Sequence, residues 1–212
     1  MNKYYQLLQK IIDFGKHQEN KKGGITYLIN EELSMSAADL LAIFETHPIA
    51  KKKLKAELDL YMAGEVSIEK YNEAGITWWD YCKPEFKNSY PKYFEKLPKL
   101  IEKINKEKRN SKNYVLFIGE TGVETNQLPC LSLLQFQIDN GELVMTVYQR
   151  SCDSNLGLPS DIYQMYLVTQ MIDIPLKNIT FYIGKAHIYD NNLEKTKELL
   201  AGGQNIKFDL NV

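Results

Sequence analysis

The chain has 212 residues, enough for one large domain with a sizeable hydrophobic core. Hydrophobic residues are 44% and charged residues 25%, an ordinary balance for a globular protein, and the formal net charge of -1 argues against a general nucleic-acid binder. The three cysteines form no CxxC pair and no zinc-type cluster with histidine, so we expect no metal site. Without a signal-peptide pattern or a membrane-length apolar run, we expect a cytoplasmic protein with reduced thiols and no membrane partner.

Helical patterns dominate the first half of the sequence. Apolar residues at helical spacing predict a first helix that closes at Gly15, and "GGITYLI" predicts a short strand. "SAADLLAIFE" predicts a helix with a serine N-cap, "KKKLKAELDLYMAG" a helix ending on Gly64, and "SIEKYNEAG" a helix capped by Ser67 and ended by Gly75. After the aromatic turn "ITWWDYCKP", we expect one polar helix over about residues 91–108.

Strands dominate the second half. "NYVLFIG" predicts a strand, and "LSLLQFQIDNGELVMTVYQ" predicts two strands joined by an Asn140-Gly141 turn, a strong hairpin signal. "SDIYQMYLVTQMI" predicts a helix, "NITFYIGKAHIY" a strand, "NLEKTKELLAG" a helix and "NIKFDL" a last strand. The sequence therefore predicts an α+β fold with a mostly antiparallel or mixed sheet and flanking helices, in a single domain over residues 1–212.

Cys130 is the first residue with possible chemistry. It follows Pro129 at the start of a predicted strand, where a cysteine is either a small buried hydrophobe or, beside a cation, a stabilised thiolate. Arg150 lies about as far beyond the Asn140-Gly141 turn as Cys130 lies before it. Hairpin pairing therefore predicts that this arginine lies beside the thiol.

Several other polar residues allow both a structural and a functional interpretation. His187 and Tyr189 alternate by two along a predicted strand, so their side chains leave the same face. Trp79 and its neighbour Trp78 fit a core as well as a binding pocket. Asp161 alone fits a first-turn carboxylate that faces a helix dipole.

The order and spacing of these motifs carry more information than any one of them. "LPC" with a following "QF", then "NGEL", "YQRSCDSNLGLPSDI" and "GKAHIYDNN", resemble the thymidylate synthase family. The likeness is ungapped from Cys130 to Asp161 and continues to about Leu200. In the first half, "ELDLYMAGEVSIEKYNEAGITWWD" and "YYQLLQKIIDFG" also resemble family segments, so the resemblance covers most of the chain.

The resemblance implies the family's fold, in which one sheet face forms a homodimer interface, and its chemistry. A cysteine adds to C6 of a pyrimidine nucleoside monophosphate, and C5 then attacks a one-carbon unit supplied by 5,10-methylenetetrahydrofolate. By position, the catalytic residues implied are Cys130, Glu57, Tyr90 and Asp161. The implied substrate residues are Arg150 and Ser151 for the phosphate, His187 and Tyr189 for the sugar, and Asp161 for the base. The implied folate residues are Trp79, Asp153 and Gly157.

Asp161 stands where the family has an asparagine that reads the base. A protonated carboxyl accepts from the cytosine amino group and donates to N3, a paired contact worth roughly 1–3 kcal/mol. Within the resembling family this exchange marks the deoxycytidylate hydroxymethylase branch, which adds water instead of hydride. The resemblance therefore implies a cytosine nucleotide, either dCMP or CMP.

Other departures keep two alternatives open. The family's double arginine aligns with Lys112-Asn113, and its phosphate loop appears as "NKKGG", so Lys112 and either Lys21 or Lys22 are the expected substitutes. The histidine after the cysteine is Leu131, and we expect the closing C-terminal tail to be missing. The alternatives to hydroxymethylation are ordinary methylation of dUMP and a family member that only binds nucleotides or partners.

Overall fold

The computed structural model describes residues 2–20, 23–120, 128–203 and 206–209. None of the helices in these ranges is both long and apolar enough to cross a membrane. The buried apolar side chains of the described residues form one continuous cluster between the sheet and the helices.

Eight α-helices are present in the described part of the chain. The serine predicted to cap the second of them does so, because Ser36 and Asp39 form a reciprocal capping box. The glycines predicted as helix ends lie just beyond the ends of the first, third and fourth helices. The helices are α1 Lys3–Phe14, α2 Ala37–Thr46, α3 Lys51–Met62, α4 Ile68–Glu73, α5 Tyr90–Phe94, α6 Leu97–Glu107, α7 Gly157–Gln170 and α8 Asp190–Leu200.

The sheet is mixed, as predicted. Its strand order is β1-β2-β7-β5-β4-β3, and the short β6 pairs with β7 beside β5. The pairs β5–β7 and β6–β7 are parallel, and the other pairs are antiparallel. The strands are β1 Lys16–Asn20, β2 Gly23–Ser36, β3 Val115–Phe117, β4 Leu131–Asp139, β5 Glu142–Gln149, β6 Cys152–Asp153 and β7 Leu176–Tyr189.

The β4–β5 hairpin turns at Asn140-Gly141, which confirms the strongest short-range signal in the sequence. Both turn residues have positive φ, 53° and 83°, as a primed turn requires. A β-bulge between Leu131 and Leu133 then shifts the register near the open end. Because of this bulge, the backbone N–H of Arg150 donates to the carbonyl of Cys130 (2.9 Å).

Two predictions for the first half need correction. The single helix expected over residues 91–108 is two helices, α5 and α6. Pro98 lies in the first turn of α6 and has no N–H to continue the hydrogen-bond ladder of α5, so the chain restarts there. Strand β1 was not predicted, because "KHQEN" is polar throughout and shows no apolar alternation.

Two predictions for the second half also need correction. Helix α7 begins at Gly157, three residues before the predicted start at residue 160. The expected last strand is wrong, since residues 206–209 have no strand structure. The Asn192 side chain both donates to the carbonyl of Asp209 (2.9 Å) and accepts from its N–H (2.8 Å), so these backbone groups are satisfied without a sheet partner.

Candidate functional site

A cavity of about 400 Å³ lies between the helical layer and the open end of the β4–β5 hairpin. This volume is within the roughly 300–1,000 Å³ typical of small-molecule sites. Its walls combine aromatic and aliphatic side chains with a few carboxyl, amide, thiol and hydroxyl groups. Site residues expected from the sequence that line it are Glu57, Trp79, Tyr90, Cys130, Ser151, Asp153, Gly157 and Asp161.

Glu57 is a buried carboxyl on α3 with several donors around it. It accepts from the Nε1 of Trp78 (2.6 Å), from the Nε1 of Trp79 and from the Nε2 of Gln164 (2.7 Å). Burial raises the pKa of Glu57, and these hydrogen bonds oppose the rise. The adjacent tryptophans therefore hold this carboxyl at the cavity wall, which explains why they occur together.

Asp161 lies on α7 and borders the cavity. The Nε2 of Gln149, at the end of β5, donates to its Oδ2. Burial raises the pKa of Asp161 to about 7; the hydrogen bond from Gln149 opposes this shift, and the negative charge of Glu57 adds to it. The Asp161 carboxyl therefore keeps its proton to a higher pH than an exposed aspartate does.

Cys130 precedes β4 and is partly exposed at the cavity. Its backbone N–H donates to the Tyr90 hydroxyl (3.2 Å), which ties α5 to the start of the strand. Burial raises the pKa of Tyr90 well above its ordinary value, and the nearby Cys130 and Asp161 add to the shift. Cys130, Tyr90 and Asp161 are thus brought together around one volume.

Arg150 lies beside Cys130 through the backbone, as predicted, but its guanidinium has other partners. The Nε donates to the carbonyl of Pro129 (3.0 Å), and an Nη donates to the carbonyl of Leu128 (2.7 Å). The guanidinium therefore stabilises the loop that carries the thiol and keeps its positive charge at the surface near it. Ser151, the next residue, borders the cavity.

The expected folate residues all line the cavity. The half-buried Asp153 accepts at Oδ1 from the N–H groups of Asn155 and Leu156 (3.0 and 3.3 Å), so it shapes the turn into α7. Burial raises the pKa of Asp153, against these two bonds. Gly157 begins α7, and the Trp79 ring packs against Tyr90 with centroids 5.9 Å apart.

His187 and Tyr189 lie side by side on β7, with ring centroids 5.1 Å apart. His187 is buried, and burial lowers its pKa to about 4, so the imidazole is neutral at pH 7. Its Nδ1 has no hydrogen-bond partner among the described residues. Asp153 pairs with His187 across the parallel β6–β7 ladder, which joins this pair to the cavity wall.

The segment 206–209 supplies a further wall that the sequence did not indicate. Phe208 borders the cavity and stacks on His47 with centroids 6.0 Å apart and planes 11° apart. His47 follows α2, is buried, and has its pKa lowered to about 4 by that burial. The Asn192 side chain holds this segment through Asp209, as described above.

Four of the expected substrate residues, Arg150, His187, Tyr189 and Lys112, do not line the cavity. Lys112 lies exposed in the turn before β3 and does not line it. Lys21 and Lys22 lie outside the described residues. Elsewhere, the exposed His17, Glu19 and Asp190 form a group whose spacing would suit a metal ion, away from the cavity lining.

Two functional residues were missed, Gln149 and Gln164. Each donates to a carboxyl that the sequence did indicate. Gln164 follows Asp161 by three residues, the spacing of neighbours on one helix face, and is a buried amide among apolar side chains. That polar interruption was the available signal, whereas nothing local distinguishes Gln149 from an ordinary strand residue.

A family model described as thymidylate synthase matches residues 2–210. The match spans the helical layer, the sheet and the cavity, including the cysteine, the tryptophan pair and the α7 carboxyl. Family membership indicates a transferase that moves one-carbon units to C5 of a pyrimidine nucleotide, with a folate co-substrate. The chain belongs to the thymidylate synthase family.

Proposed function

We propose that this protein hydroxymethylates C5 of a cytidine monophosphate, dCMP or CMP, with 5,10-methylenetetrahydrofolate as the one-carbon donor. The observation that carries the proposal is Asp161, a carboxyl at the cavity wall whose pKa is raised by burial to about 7. A base-reading group that holds a proton at neutral pH suits cytosine.

Base selection follows from the hydrogen-bonding groups of the acid. Cytosine presents an amino donor at N4 and an acceptor at N3. The protonated Asp161 offers a carbonyl oxygen that accepts from N4 and a hydroxyl that donates to N3. The ionised form has acceptors only, so it would face N3 with a repulsive lone pair.

Cys130 is the proposed nucleophile. Its sulfur forms a bond to C6, the C5–C6 π electrons move to C5, and C5 then bonds to the one-carbon unit. Loss of the C5 proton expels tetrahydrofolate from the one-carbon unit and leaves an exocyclic methylene on C5. Water adds to that methylene carbon, and the electron pair returned to the ring expels the Cys130 sulfur from C6, which restores the aromatic ring. The positive charge of Arg150 near the Cys130 loop favours the thiolate that this addition needs.

Glu57 and Tyr90 are proposed to assist proton transfer beside the pyrimidine ring. Both border the cavity, and both have raised pKa values because they are buried. Glu57 is held by its tryptophan and glutamine donors, so it can order a water molecule toward the one-carbon unit on C5 without moving. That water is the group which hydroxymethylation adds and methylation does not.

The folate supplies the one-carbon unit when bound. Trp79, Asp153 and Gly157 are the residues proposed to hold it, in a cavity whose aromatic side chains suit a planar heterocycle. Phe208 adds an apolar wall at the cavity. The Asp153 carboxyl suits the N–H donors of such a heterocycle.

We further propose a cytoplasmic, single-domain protein that forms a homodimer through the face of its sheet. Phe117, Tyr148 and Tyr182 are 72%, 44% and 43% exposed on β3, β5 and β7, although each is a large aromatic side chain. Tyr148 and Tyr182 are register partners across the parallel β5–β7 pair, which supports a continuous apolar patch. Lys112 is then free to reach the partner's phosphate from its exposed turn.

The reaction is tested with dCMP, CMP or dUMP, each tritiated at C5, together with methylenetetrahydrofolate. We expect tritium release with a cytidylate and no rise in dihydrofolate absorbance, because hydroxymethylation regenerates tetrahydrofolate. Release with dUMP and a dihydrofolate rise would instead identify ordinary methylation.

The Cys130→Ala variant is the matched control, since it removes only the thiol. We expect it to lose about 10³-fold or more of the tritium release while it still binds the nucleotide. Nucleotide binding without tritium release from any of the three substrates, in the unaltered protein, would show a protein that binds without catalysis.

A further inference from the structure

Lys185 shares a face of β7 with the two residues proposed for the sugar. Side chains alternate along a strand, so Lys185, His187 and Tyr189 leave the same side. Tyr27 of β2 pairs directly with His187 and lies under Lys185. The lysine was not among the residues that the sequence indicated.

The register of the sheet brings Lys185 level with the proposed phosphate residues. In the parallel ladders, Gln149 pairs with Ile183 and Cys152 pairs with Ala186, with one constant offset between the strands. The residues between these pairs therefore match in order, and Ser151 lies level with Lys185. A Cβ added at Gly184 would lie 2.7 Å from the Arg150 carbonyl oxygen, so the two chains are close at this point.

The ammonium group of Lys185 is held by neutral partners. Its Nζ lies 4.3 Å from the centroid of the Tyr27 ring and donates to the Oε1 of Gln18 (3.1 Å). No carboxylate in the described ranges is within ion-pair distance of it, unlike Lys177 of the same strand, which pairs with Asp139 (2.6 Å). Its charge also acts on His187, whose pKa it lowers slightly in addition to the effect of burial.

We propose that Lys185 binds the phosphate of the nucleotide, next to Arg150 and Ser151. This inference rests on the proposed function, because it assigns a residue to the phosphate end of the same site. A half-buried cation with uncharged neighbours keeps its full charge for an anion, and its three N–H donors need no fixed orientation. Lys185 thus supplies, within this subunit, positive charge that the Lys112-Asn113 sequence no longer supplies in full.

The test is calorimetric titration of CMP and of cytidine, which differ by the phosphate, into the unaltered protein and three variants. Lys185→Met removes the charge at nearly constant length, Lys185→Arg keeps it, and Lys177→Met makes the same change elsewhere on β7. We expect Lys185→Met to weaken CMP binding about 10- to 100-fold and to leave cytidine binding within about twofold. Lys185→Arg is expected to restore most of the loss, and Lys177→Met to change neither.

Three outcomes would overturn the inference in different ways. Tight CMP binding by Lys185→Met, with a normal preference over cytidine, would remove Lys185 from the site and leave the proposed function intact. A failure of the unaltered protein to bind any pyrimidine monophosphate would overturn the proposed function, and the role of Lys185 with it. An equal loss of CMP and cytidine would show a distorted site instead of a lost phosphate contact.

Discussion

Asp161 and Gln149 together decide the protonation of the base-reading group. The amide of Gln149 donates to the carboxyl and so stabilises its charged form, while burial and Glu57 favour the neutral form. The balance places the pKa at about 7, where small changes have their largest effect on protonation. Under the proposed function, substrate preference would be a property of this pair and its surroundings.

Cytidylate binding is expected to weaken as the pH rises. The competent form of Asp161 is protonated, and its pKa is about 7, so affinity should be constant at low pH and fall about tenfold per pH unit well above 7. Affinity for dCMP measured by calorimetry from pH 5.5 to 9 checks this. Gln149→Leu removes the hydrogen bond that favours the carboxylate, so it should move the fall to higher pH.

Asp161→Asn should reverse the preference and abolish the pH dependence. The amide does not titrate, and it can donate to uracil O4 and accept from N3–H. We expect the ratio of dUMP to dCMP affinity to rise by about 5- to 150-fold, the equivalent of the roughly 1–3 kcal/mol assigned to a paired base contact. An unchanged ratio in competition binding would contradict the role of Asp161 in reading the base.

At the scale of elements, two side chains of α8 hold the segment 206–209, Asn192 by hydrogen bonds and Lys195 by an ion pair with Asp209 (2.9 Å). Asn192 makes both hydrogen bonds to Asp209, and the segment carries Phe208 to the cavity. A short segment without strand partners needs such contacts, because they offset the conformational entropy that is lost when it is ordered. Helix α8 thus contributes to the site without touching it through its own side chains.

Asn192→Ala should weaken the attachment of the segment 206–209, and with it the position of Phe208 at the cavity. We expect affinity for the folate to fall several-fold, on the order of a lost neutral hydrogen-bond pair, while nucleotide affinity stays within about twofold. Asn105→Ala is a matched control, since Asn105 also bonds a carbonyl and an N–H, those of Met171 and Asp173, away from the cavity. Equal folate affinities in the two variants, measured by fluorescence titration, would separate Phe208 from folate binding.

Some secondary-structure elements are determined by residues that are adjacent in sequence, and others by contacts between distant residues. The Asn140-Gly141 hairpin and the Ser36 cap were predictable, because the residues that determine them are adjacent in sequence. The last strand was mispredicted because Asn192, distant in sequence, satisfies the backbone there. A side chain that acts across the fold leaves no periodic pattern.

The residues of the candidate site also fall into those that could be predicted from the sequence and those that could not. The cysteine, the tryptophan and the carboxyls were found by their order along the chain, and most of them line one cavity. Gln149 and Lys185 were missed because their roles depend on which strand lies beside which. The parallel pairing of β7 with β5 and β6 sets the position of Gln149 and of the proposed phosphate ligand Lys185, and that pairing follows from the whole sheet.

For the whole molecule, the buried carboxyls and the buried histidines make the free energy of unfolding depend on pH in opposite directions. Asp161, Glu57 and Asp153 have raised pKa values, so their contribution to stability is present at low pH and is lost as the pH rises through the folded-state pKa. His47 and His187 have pKa values lowered to about 4, so their contribution is lost as the pH falls from about 6.5 toward 4. The binding site accounts for most of these groups.

The free energy of unfolding of Asp161→Asn, compared with that of the unaltered protein, isolates one of these contributions. Near pH 4 we expect a small difference, because the carboxyl is protonated in the folded state. Between pH 4 and 7 the variant should gain relative stability, by up to about 4 kcal/mol at pH 8, because it carries no charge to bury. Urea unfolding at several pH values measures this, and a flat difference would mean that Asp161 is solvated.

The β-bulge between Leu131 and Leu133 has a consequence for how such a protein can change in evolution. The number of residues from Cys130 to Arg150 determines which backbone groups pair in this hairpin, because the turn and the bulge fix the register of its two strands. Substitutions between these points alter packing, but an inserted or deleted residue alters length and slips every contact beyond it. We therefore expect side chains in this hairpin to tolerate substitution, whereas its number of residues should be retained.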